Sequence, residues 1–523
     1  MNLFLQFSDA AKFADIARNL ISGFGYGSSF SFWSSNIFEL IKNKIFSSPW
    51  TPPVMSFSIA AFFKMFGVND FAVVATSFFY FLLLLIFTIL LGKRIFKSNL
   101  VGILSALAVG FNKAIINYAT SGALESPFLF EIVASAYFLT LRKRWATVVG
   151  FVLLVLMYFT RPQAFIYIAG LILFYLLSRF KAKKAILYFL AVMAIGLLVD
   201  WIILTPLTGK YFLYPITGRG INTISQHASG IAVSDALRGN FVTSVGLLSI
   251  FKKIFYNLYN FYRLMPQIMS PYLFGLFVIG LFRWIKDKTY NSLKIATIFM
   301  VIVTLLVTAL SIPFFRYLHP VVPLVYIFAV ETLVWIVGKV ISDWSFVASG
   351  KLKSLLTVHR SLTTIVVSTF LILVFVVGQT LGVIFLDSRF ERNTHNVGKP
   401  PVYVVLSRIL KDNTMPDQTI VTNLDTWGSW YGERKTIWYP LKPDMLISPD
   451  NQKNPFDAIF LTSYLMDDEN YYMGPEWRQV FENPEKIQEK FISENYKLKE
   501  IYSISADEDF EKQPARAVLL IKK

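Results

Sequence analysis

The chain has 523 residues, of which 55% are hydrophobic and only 16% are charged, against about 25% charged residues in soluble domains. This composition excludes an ordinary soluble globule and indicates an integral membrane protein. The net charge of +17 does not predict a nucleic-acid partner, because most cations stand in short loops between apolar segments, where they set membrane topology. The sequence has no cysteine, which excludes disulfides, thiolate metal sites and a cysteine nucleophile.

Apolar stretches of about 20 residues, the length that crosses a bilayer, follow one another along the first three quarters of the chain. They run near 69–92, 98–117, 123–141, 184–205, 291–311, 314–338 and 363–386, with a shorter candidate near 271–285. The run 145–179 is broken at Arg161-Pro162 and predicts two spans that meet at Arg161, because proline removes a backbone donor. Residues 52–66 predict a short, partly buried helix that starts at Pro52-Pro53 and stops at Gly67. The pattern is that of a polytopic α-helical membrane protein with about 10–12 membrane segments.

Clusters of lysine and arginine fall in alternate loops between these segments. They are Lys93, Arg94 and Lys97; Arg142, Lys143 and Arg144; Arg179, Lys181, Lys183 and Lys184; Arg283, Lys286, Lys288 and Lys294; and Lys339, Lys351, Lys353 and Arg360. The positive-inside rule places all of them in the cytoplasm. The loops 8–51 and 206–270 and everything after residue 387 are then extracytoplasmic. We therefore expect a multi-pass plasma-membrane protein with a transmembrane domain, 1–387, and a soluble extracytoplasmic domain, 388–523.

The tail after residue 387 is expected to form a small α/β domain. Its short β-like runs are Thr419–Thr422, Ala458–Thr462 and Ala517–Ile521, and a polar helical stretch lies around Glu476–Asn495. Such short apolar runs between turn residues are typical of strands in a compact mixed domain.

Two acidic residues stand at helix starts on the predicted outer side. Ser8 or Asp9 is placed to cap a short amphipathic helix, and Glu125 opens a membrane helix, where the helix dipole favours an acid. Each position therefore has a structural interpretation. A carboxylate at the end of a membrane bundle is also a candidate functional group, and both interpretations stay open. Asp15, one turn after the first acid, is expected to be a solvated or ion-paired face residue.

Arg161 and Arg316 are cations at the outer edge of the bundle, where no topogenic role explains them. Each could extend toward lipid headgroups. Alternatively, the two guanidinium groups could clamp a phosphate through two-pronged hydrogen bonds. Glu331 lies about 22 Å along a helix from Arg316, at 1.5 Å per residue, and is interpreted as structural.

The order of these pieces resembles the GT-C superfamily of membrane glycosyltransferases, and within it the branch of protein O-mannosyltransferases and the lipid A aminoarabinose transferase. The matching segments are Asp9 with Ile16-Ala17-Arg18-Asn19-Leu20 and Gly23-Phe24-Gly25-Tyr26, Thr51-Pro52-Pro53 with Phe66-Gly67, Ser121 to Glu125, Thr160-Arg161-Pro162, and Arg316-Tyr317-Leu318-His319-Pro320. A C-terminal outside domain with Trp430-Tyr431-Gly432-Glu433-Arg434-Lys435 is also in keeping with this family. The resemblance spans most of residues 8–340.

The resemblance implies a hexosyl- or pentosyltransferase that takes a sugar from a polyprenyl-phosphate carrier, inverts the anomeric carbon and passes the sugar to an extracytoplasmic lipid, glycan or protein. By this resemblance Asp9 is the catalytic acid residue of the first loop, acting as general base on the acceptor hydroxyl or orienting it. Arg161 and Arg316 are the candidates for binding the donor phosphate as it departs. Further candidate site residues are Glu125, Tyr317 and His319. The expected partners are the polyprenyl-phosphate-linked sugar, membrane lipids and the acceptor.

The chain departs from the family pattern at three places. Ala10 follows the first acid where relatives often carry Glu, and Thr51 precedes the proline pair where relatives often place His or Lys, so metal or phosphate roles at these two positions are not carried over. The family has a whole membrane helix before the first-loop acid. Met1–Phe7 span about 10 Å as a helix, so we expect that the first membrane helix is missing or that the start codon is misassigned.

The alternative function is a transporter or flippase of a lipid-linked glycan. Transporters usually carry repeat symmetry and charged or broken helices near the membrane midplane, whereas here no internal repeat is visible and the polar residues gather at the outer edge, which favours the enzyme. No cofactor is required by the sequence. Asp9 and Glu125 could hold a divalent ion through oxygen ligands, although their spacing does not demand one.

Overall fold

A computed structural model gives the structure of most of the chain. It describes residues 4–34, 36–47, 51–199, 201–202, 247–310, 313–347, 360–378, 380, 400–447, 454–467, 473–504 and 515–523. Most of the predicted loop 206–270 lies outside the described residues, which resume at 247.

The first segment combines short helices with very short strands. Its elements are α1 (Ser8–Ile21), β1 (Gly27–Ser28), β2 (Phe30–Ser31), α2 (Ile37–Leu40), β3 (Phe46–Ser47) and α3 (Pro53–Phe66). The proline pair and the glycine limit α3 as expected. Proline stands at the first helical positions, and Gly67, with φ of +79°, donates its N–H to the Phe63 carbonyl at 2.9 Å. A residue without a Cβ adopts this positive φ without strain.

A bundle of apolar helices follows and contains the largest hydrophobic core. Its helices are α4 (Asp70–Phe96), α5 (Asn99–Gly110), α6 (Lys113–Ala119), α7 (Glu125–Thr140), α8 (Arg144–Thr160), α9 (Ala164–Arg179), α10 (Ala182–Val199), α11 (Leu247–Arg263), α12 (Pro271–Leu281), α13 (Lys288–Leu310), α14 (Val322–Val347) and α15 (Arg360–Ile372). Helix α4 packs between α5 and α7, α13 packs on α9, and α12 packs on α14. Arg161 and Pro162 lie between α8 and α9, so the predicted helix break is confirmed.

Within the described residues, four helices are long and apolar enough to cross a membrane. They are Asp70–Phe96, Lys288–Leu310, Phe315–Trp344 and Ser361–Gly378. Helices α5 and α6 meet at 73° and would together form a fifth, broken span. Helices α3, α8, α9 and α12 are shorter apolar helices. The mostly helical character with several long apolar helices is confirmed, while the number of 10–12 segments and the sidedness stay predictions.

The C-terminal part forms an α/β unit around one six-stranded sheet. Its elements are α16 (Val402–Asn413), β4 (Thr419–Thr422), α17 (Thr426–Trp430), β5 (Lys435–Trp438), β6 (Ala458–Thr462), α18 (Pro475–Glu482), α19 (Lys490–Asn495), β7 (Tyr496–Ile504) and β8 (Ala515–Lys522). The strand order is β2-β5-β4-β6-β8-β7, parallel from β2 to β6 and antiparallel from β6 to β7. The predicted sheet is thus present, and each predicted run is a strand or part of one.

One edge of this sheet comes from the first segment of the chain. In β2, Phe30 pairs with Thr436 and Ser31 pairs with Ile437. Phe30 and Trp33 belong to the same hydrophobic core as the residues of β4 and β5. The predicted division at residue 387 therefore does not separate two independent structural units, because residues of the loop 8–51 complete the C-terminal sheet and its core.

Asp15 links α1 to the strands that follow it and, through Arg18, to the C-terminal unit. Its carboxylate is fully buried and accepts hydrogen bonds from Arg18 Nη2 at 2.6 Å, Ser28 Oγ at 2.8 Å and the Ser29 N–H at 2.5 Å. Arg18 also donates to the Ser429 carbonyl at 2.8 Å. The sequence predicted a solvated or ion-paired residue on the helix face. Asp15 is ion-paired, but it lies in the interior of the protein.

We expect Asp15→Ala to lower the free energy of unfolding by about 3 kcal/mol, because three donors lose their acceptor, and one of them is the charged guanidinium of Arg18. The measurement is the thermal unfolding midpoint in detergent, together with hydrogen exchange of residues 22–34. Glu39→Ala is the matched control, since this exposed acid of the same segment should change stability by at most about 0.5 kcal/mol. Equal midpoints for the two variants would contradict the linking role of Asp15.

Candidate active site

The four charged residues selected from the sequence form two ion pairs at one end of the helix bundle. Arg316 Nη1 donates to Asp9 Oδ2 at 2.9 Å, and Arg161 Nη1 donates to Glu125 Oε1 at 2.9 Å. The Tyr317 ring lies against both guanidinium groups, its centroid 5.2 Å from Arg161 Cζ and 5.5 Å from Arg316 Cζ. The start of α1, the start of α7, the break between α8 and α9 and the turn before α14 thus meet in one cluster.

The two pairs differ in their exposure. The side chains of Arg161 and Glu125 are 6% and 5% exposed, whereas those of Arg316 and Asp9 are 33% and 46% exposed. The first pair is therefore part of the interior. The second pair is accessible to an incoming molecule. The Tyr317 ring contacts one guanidinium group from each pair.

Asp9 does not act as a helix cap. The N-cap position of α1 is Phe7, and no side chain accepts a hydrogen bond there. The expectation that Ser8 or Asp9 caps the helix is wrong, because the Asp9 carboxylate is directed to the guanidinium of Arg316. Burial raises the pKa of Asp9, but the nearby charges of Arg316, Lys12 and Arg161 and the hydrogen bond from Arg316 outweigh it, so the pKa lies below its ordinary value of 3.8.

Both arginines pair with acids of the protein. Arg161 has extended backbone after the end of α8 and is 5% exposed, so its side chain turns into the bundle toward Glu125. Arg316 binds Asp9 with one nitrogen, while its Nε is buried without a hydrogen-bond partner within the described residues. A guanidinium has five N–H donors, so Arg316 keeps donors for an anion after pairing with Asp9.

His319 is buried next to the site and is held by two protein partners. It is 4% exposed, its Nδ1 lies 2.5 Å from Tyr118 Oη, and its Nε2 lies 3.1 Å from the Gln267 carbonyl oxygen. Since a carbonyl can only accept, Nε2 carries the proton and Nδ1 accepts from the tyrosine hydroxyl. Both ring nitrogens therefore have protein partners. The Tyr317 carbonyl accepts from Gln163 Nε2 at 2.6 Å, which fixes the same turn.

The C-terminal unit contributes residues that the sequence analysis did not select. Thr426 Oγ1 of α17 donates to the Ser8 carbonyl at 2.5 Å, next to Asp9. At the start of α4, Asp70 accepts from Trp430 Nε1 at 2.7 Å and from the Tyr431 hydroxyl at 2.8 Å. Only the docked tertiary structure shows that α17 lies over the start of α1.

Asp9 and Glu125, the two carboxylates considered as ligands of a divalent ion, are both in ion pairs. Asp9 and Glu125 are each paired with a separate guanidinium, which competes with a cation for the carboxylate oxygens. The described residues contain no group of three or more His, Asp or Glu side chains that could hold a metal ion. Glu331 lies at the other end of the bundle, where it pairs with Arg283, in agreement with the structural interpretation.

No family model matches the chain. An uncharacterized protein of Aquifex aeolicus (strain VF5) is 29% identical over 190 residues, which cover 33% of this chain and 37% of that protein. The chain thus aligns with little more than a third of the length of this relative.

Solved structures with the same fold cover nearly the whole chain. Crystal structures of ArnT from Cupriavidus metallidurans, in the apo state and bound to undecaprenyl phosphate, match 99% of this chain and 94% of their own with TM-scores of 0.51 and 0.50, at 12% identity. The archaeal oligosaccharyltransferase AglB from Archaeoglobus fulgidus, in complex with an inhibitory peptide and a dolichol-phosphate, has a TM-score of 0.54 over 90% of this chain and 67% of its own, at 10% identity.

ArnT is an aminoarabinose transferase, and both neighbours are members of the GT-C superfamily. At identities of 12% and 10%, the structural match establishes the fold alone, and the reaction has to be argued from the site. The resemblance inferred from the ordered motifs is confirmed at this level. The chain has the fold that these GT-C proteins share, with several helices long and apolar enough to cross a membrane.

Proposed function

We propose that this protein is a glycosyltransferase that moves a sugar from a polyprenyl-phosphate donor to an acceptor hydroxyl, with inversion of the anomeric carbon. The observation that carries the proposal is the half-exposed pair of Asp9 and Arg316, next to the buried pair of Glu125 and Arg161. The fold supports it, since the structures that share it include one bound to undecaprenyl phosphate and one bound to a dolichol-phosphate. Lipids of this class present a phosphate at the membrane interface, and the site lies at one end of the apolar bundle.

The two members of the open pair have complementary roles in this reaction. As the bond between the anomeric carbon and the phosphate oxygen breaks, negative charge grows on the phosphate, and a fixed cation in a partly dry site stabilises it. Arg316 supplies this cation and keeps unused N–H donors. Asp9 stays ionised because of its lowered pKa, so it can accept a hydrogen bond from the acceptor hydroxyl and orient its oxygen toward the sugar.

Arg161 and Glu125 support the open pair from the interior. Arg161 contacts the Tyr317 ring, and the same ring contacts the guanidinium of Arg316. We assign Arg161 to the electrostatic field at the donor phosphate and Glu125 to the fixation of Arg161. By the positive-inside pattern of the loops, we place this site, the acceptor and the C-terminal unit on the extracytoplasmic side of the plasma membrane.

The test is a transfer assay with the full chain in lipid vesicles. Polyprenyl-phosphate hexoses and pentoses are supplied with lipid, glycan and peptide acceptors, and the glycosylated product and free polyprenyl phosphate are measured by mass spectrometry. The proposal expects both products in equal amounts. Movement of intact lipid-linked sugar across the bilayer without cleavage would contradict it and would favour a flippase.

Arg316→Gln should weaken the binding of polyprenyl phosphate by about 10- to 100-fold, because a charge-assisted hydrogen bond contributes about 1.5–3 kcal/mol. The measurement is a titration of polyprenyl phosphate against the detergent-solubilised protein by calorimetry. Lys411→Gln is the matched control, since this cation also pairs with an acid, Glu433, but lies on the C-terminal unit. The same affinity in both variants would remove Arg316 from the phosphate site.

A further inference from the structure

Asp425 has an unusual backbone conformation at the start of α17. Its φ is 55° and its ψ is −150°, a combination that is rare for residues other than glycine. The residue is 6% exposed, and its Oδ1 accepts from the Thr426 N–H at 2.7 Å. Strained conformations of this kind persist where the surrounding structure fixes them, and they concentrate at active sites.

This strained residue lies over the start of α1. The neighbouring Thr426 Oγ1 donates to the Ser8 carbonyl at 2.5 Å, and the Ser8 side chain hydrogen-bonds to the Asp425 carboxylate. The charges of Asp9 and Lys12 act on the same carboxylate. The C-terminal unit thus brings a second acid to the residue that the proposed reaction uses.

The surroundings of Asp425 and Asp9 shift the pKa values of the two carboxyl groups in opposite directions. Burial and the neighbouring charge of Asp9 raise the pKa of Asp425, whereas hydrogen bonds from the Thr426 N–H and Ser8 and the charge of Lys12 lower it. The net result is a pKa of about 6. Asp9 has a lowered pKa because of Arg316. Two carboxylates whose pKa values are separated by their environments usually have separate roles in acid–base chemistry.

Other charged and titratable groups around α17 have partners of their own. From α1, Arg18 is bound to the carbonyls of Ser429 and Trp430 at the opposite end of α17. From α16, the ring of Tyr403 stacks on Trp427 and its hydroxyl donates to the Leu5 carbonyl. Among the residues that the structure describes, the charged groups that act on Asp425 are therefore Asp9 and Lys12, at the start of α1.

We propose that Asp425 is a second catalytic carboxylate, which takes up the proton of the acceptor hydroxyl while Asp9 orients that hydroxyl; this rests on the proposed glycosyl transfer. The single O–H of the acceptor is shared by the two carboxylates in a three-centre hydrogen bond. As the O–H bond breaks, its proton moves to Asp425, the more basic of the two. The oxygen bonds to the anomeric carbon, the bond from that carbon to the phosphate oxygen breaks, and the electron pair leaves with the phosphate beside Arg316. Asp425 then returns the proton to water.

The assignment follows from the different basicity of the two acids. A general base is most effective when its pKa lies near the working pH, and a carboxylate held as an anion by a guanidinium is a weak base. The C-terminal unit then completes the active site instead of only covering it. The strained backbone has a function in this arrangement, because it directs the side chain to α1.

The experiment follows the pH dependence of transfer by the wild type, Asp425→Asn and Asp425→Glu in vesicles. A base must be deprotonated, so wild-type kcat/KM, which reports ionisations of the free enzyme, should rise with pH through about 6 and level off above it. Asn keeps an oxygen for the Thr426 N–H, so we expect normal folding, a kcat lower by about 100-fold, little change in KM, and loss of the rise near pH 6. Asp425→Glu should restore part of kcat and its pH dependence.

Asp417→Asn is the control, because this acid of the same unit is exposed and should leave rate and pH profile unchanged. Wild-type kcat/KM without an ionisation near pH 6, or an Asp425→Asn variant with wild-type kcat, would overturn the assignment even if an Asp9→Asn variant is inactive. A wild-type protein that transfers no sugar would instead refute the proposed function itself.

Discussion

Replacement of Asp9 by Asn should lower the rate of sugar transfer by about 100- to 10 000-fold, the usual range for loss of an acid–base or orienting carboxylate. The amide has the same shape but no charge, so it neither holds the acceptor hydroxyl as strongly nor balances Arg316. The pair with Arg316 is about half exposed on the Asp9 side, and exposed pairs contribute little to stability. We therefore expect an unchanged unfolding midpoint, which separates this effect from misfolding.

The measurement is the initial rate in vesicles under saturating donor and acceptor. Asp444→Asn serves as the control, because Asp444 is an exposed acid of the C-terminal unit. The lowered pKa of Asp9 also has a consequence for pH dependence. Protonation of Asp9 should reduce the wild-type rate only below its ordinary value of 3.8, far from the titration assigned to Asp425. A variant with more than about a tenth of the wild-type rate would contradict the role of Asp9, given the range expected for such carboxylates.

The positions of the candidate site residues could be predicted from the sequence, but their pairing could not. Helix starts, the break at Arg161-Pro162 and the proline-rich turn around Arg316 are local signals, and the order of the motifs resembles one fold. That Arg316 binds Asp9 and Arg161 binds Glu125 depends on contacts between residues far apart in the chain. Periodicity and capping rules do not contain this information.

The C-terminal sheet shows the same limit. Every residue of β4 and β6 is buried, and both strands consist of apolar residues and threonine, which makes them visible in the sequence. Strand β5 contains Lys435 and follows a run of polar residues, and β2 has two residues. The pairing of β2 with β5 joins residues about 400 positions apart, so neither the edge strand nor the shared core could be inferred locally.

Asp425 could not be selected from the sequence for a related reason. An aspartate that begins a short helix is common as an N-cap, and Asp425 does accept the Thr426 N–H. Its strained backbone and its position over Ser8 become visible only after α17 docks on α1. Asp9 also stands at the start of a helix, yet that helix has no side-chain cap. The capping pattern therefore predicted a cap at Asp9 that is absent, and at Asp425 it gave no sign of a role beyond capping.

Replacement of Arg161 by Met should lower the free energy of unfolding by about 3–5 kcal/mol, because removal of one member of a buried ion pair leaves the other charge without compensation. Both side chains of this pair are at most 6% exposed. The measurement is thermal and chemical unfolding in detergent. Lys490→Met is the control, since Lys490 and Glu494 form a surface pair with side chains 87% and 60% exposed, and such pairs contribute about 0–1 kcal/mol.

The double variant Arg161→Met, Glu125→Gln should recover at least about 1 kcal/mol of the lost stability, since no uncompensated charge remains and neighbouring substitutions are not additive. It should not recover transfer, because the cation beside Tyr317 is still absent. Recovery of stability without activity would show that Arg161 acts on the donor phosphate beyond its structural pairing. Recovery of both would mean that the buried pair only supports the fold and that Arg316 alone stabilises the departing phosphate.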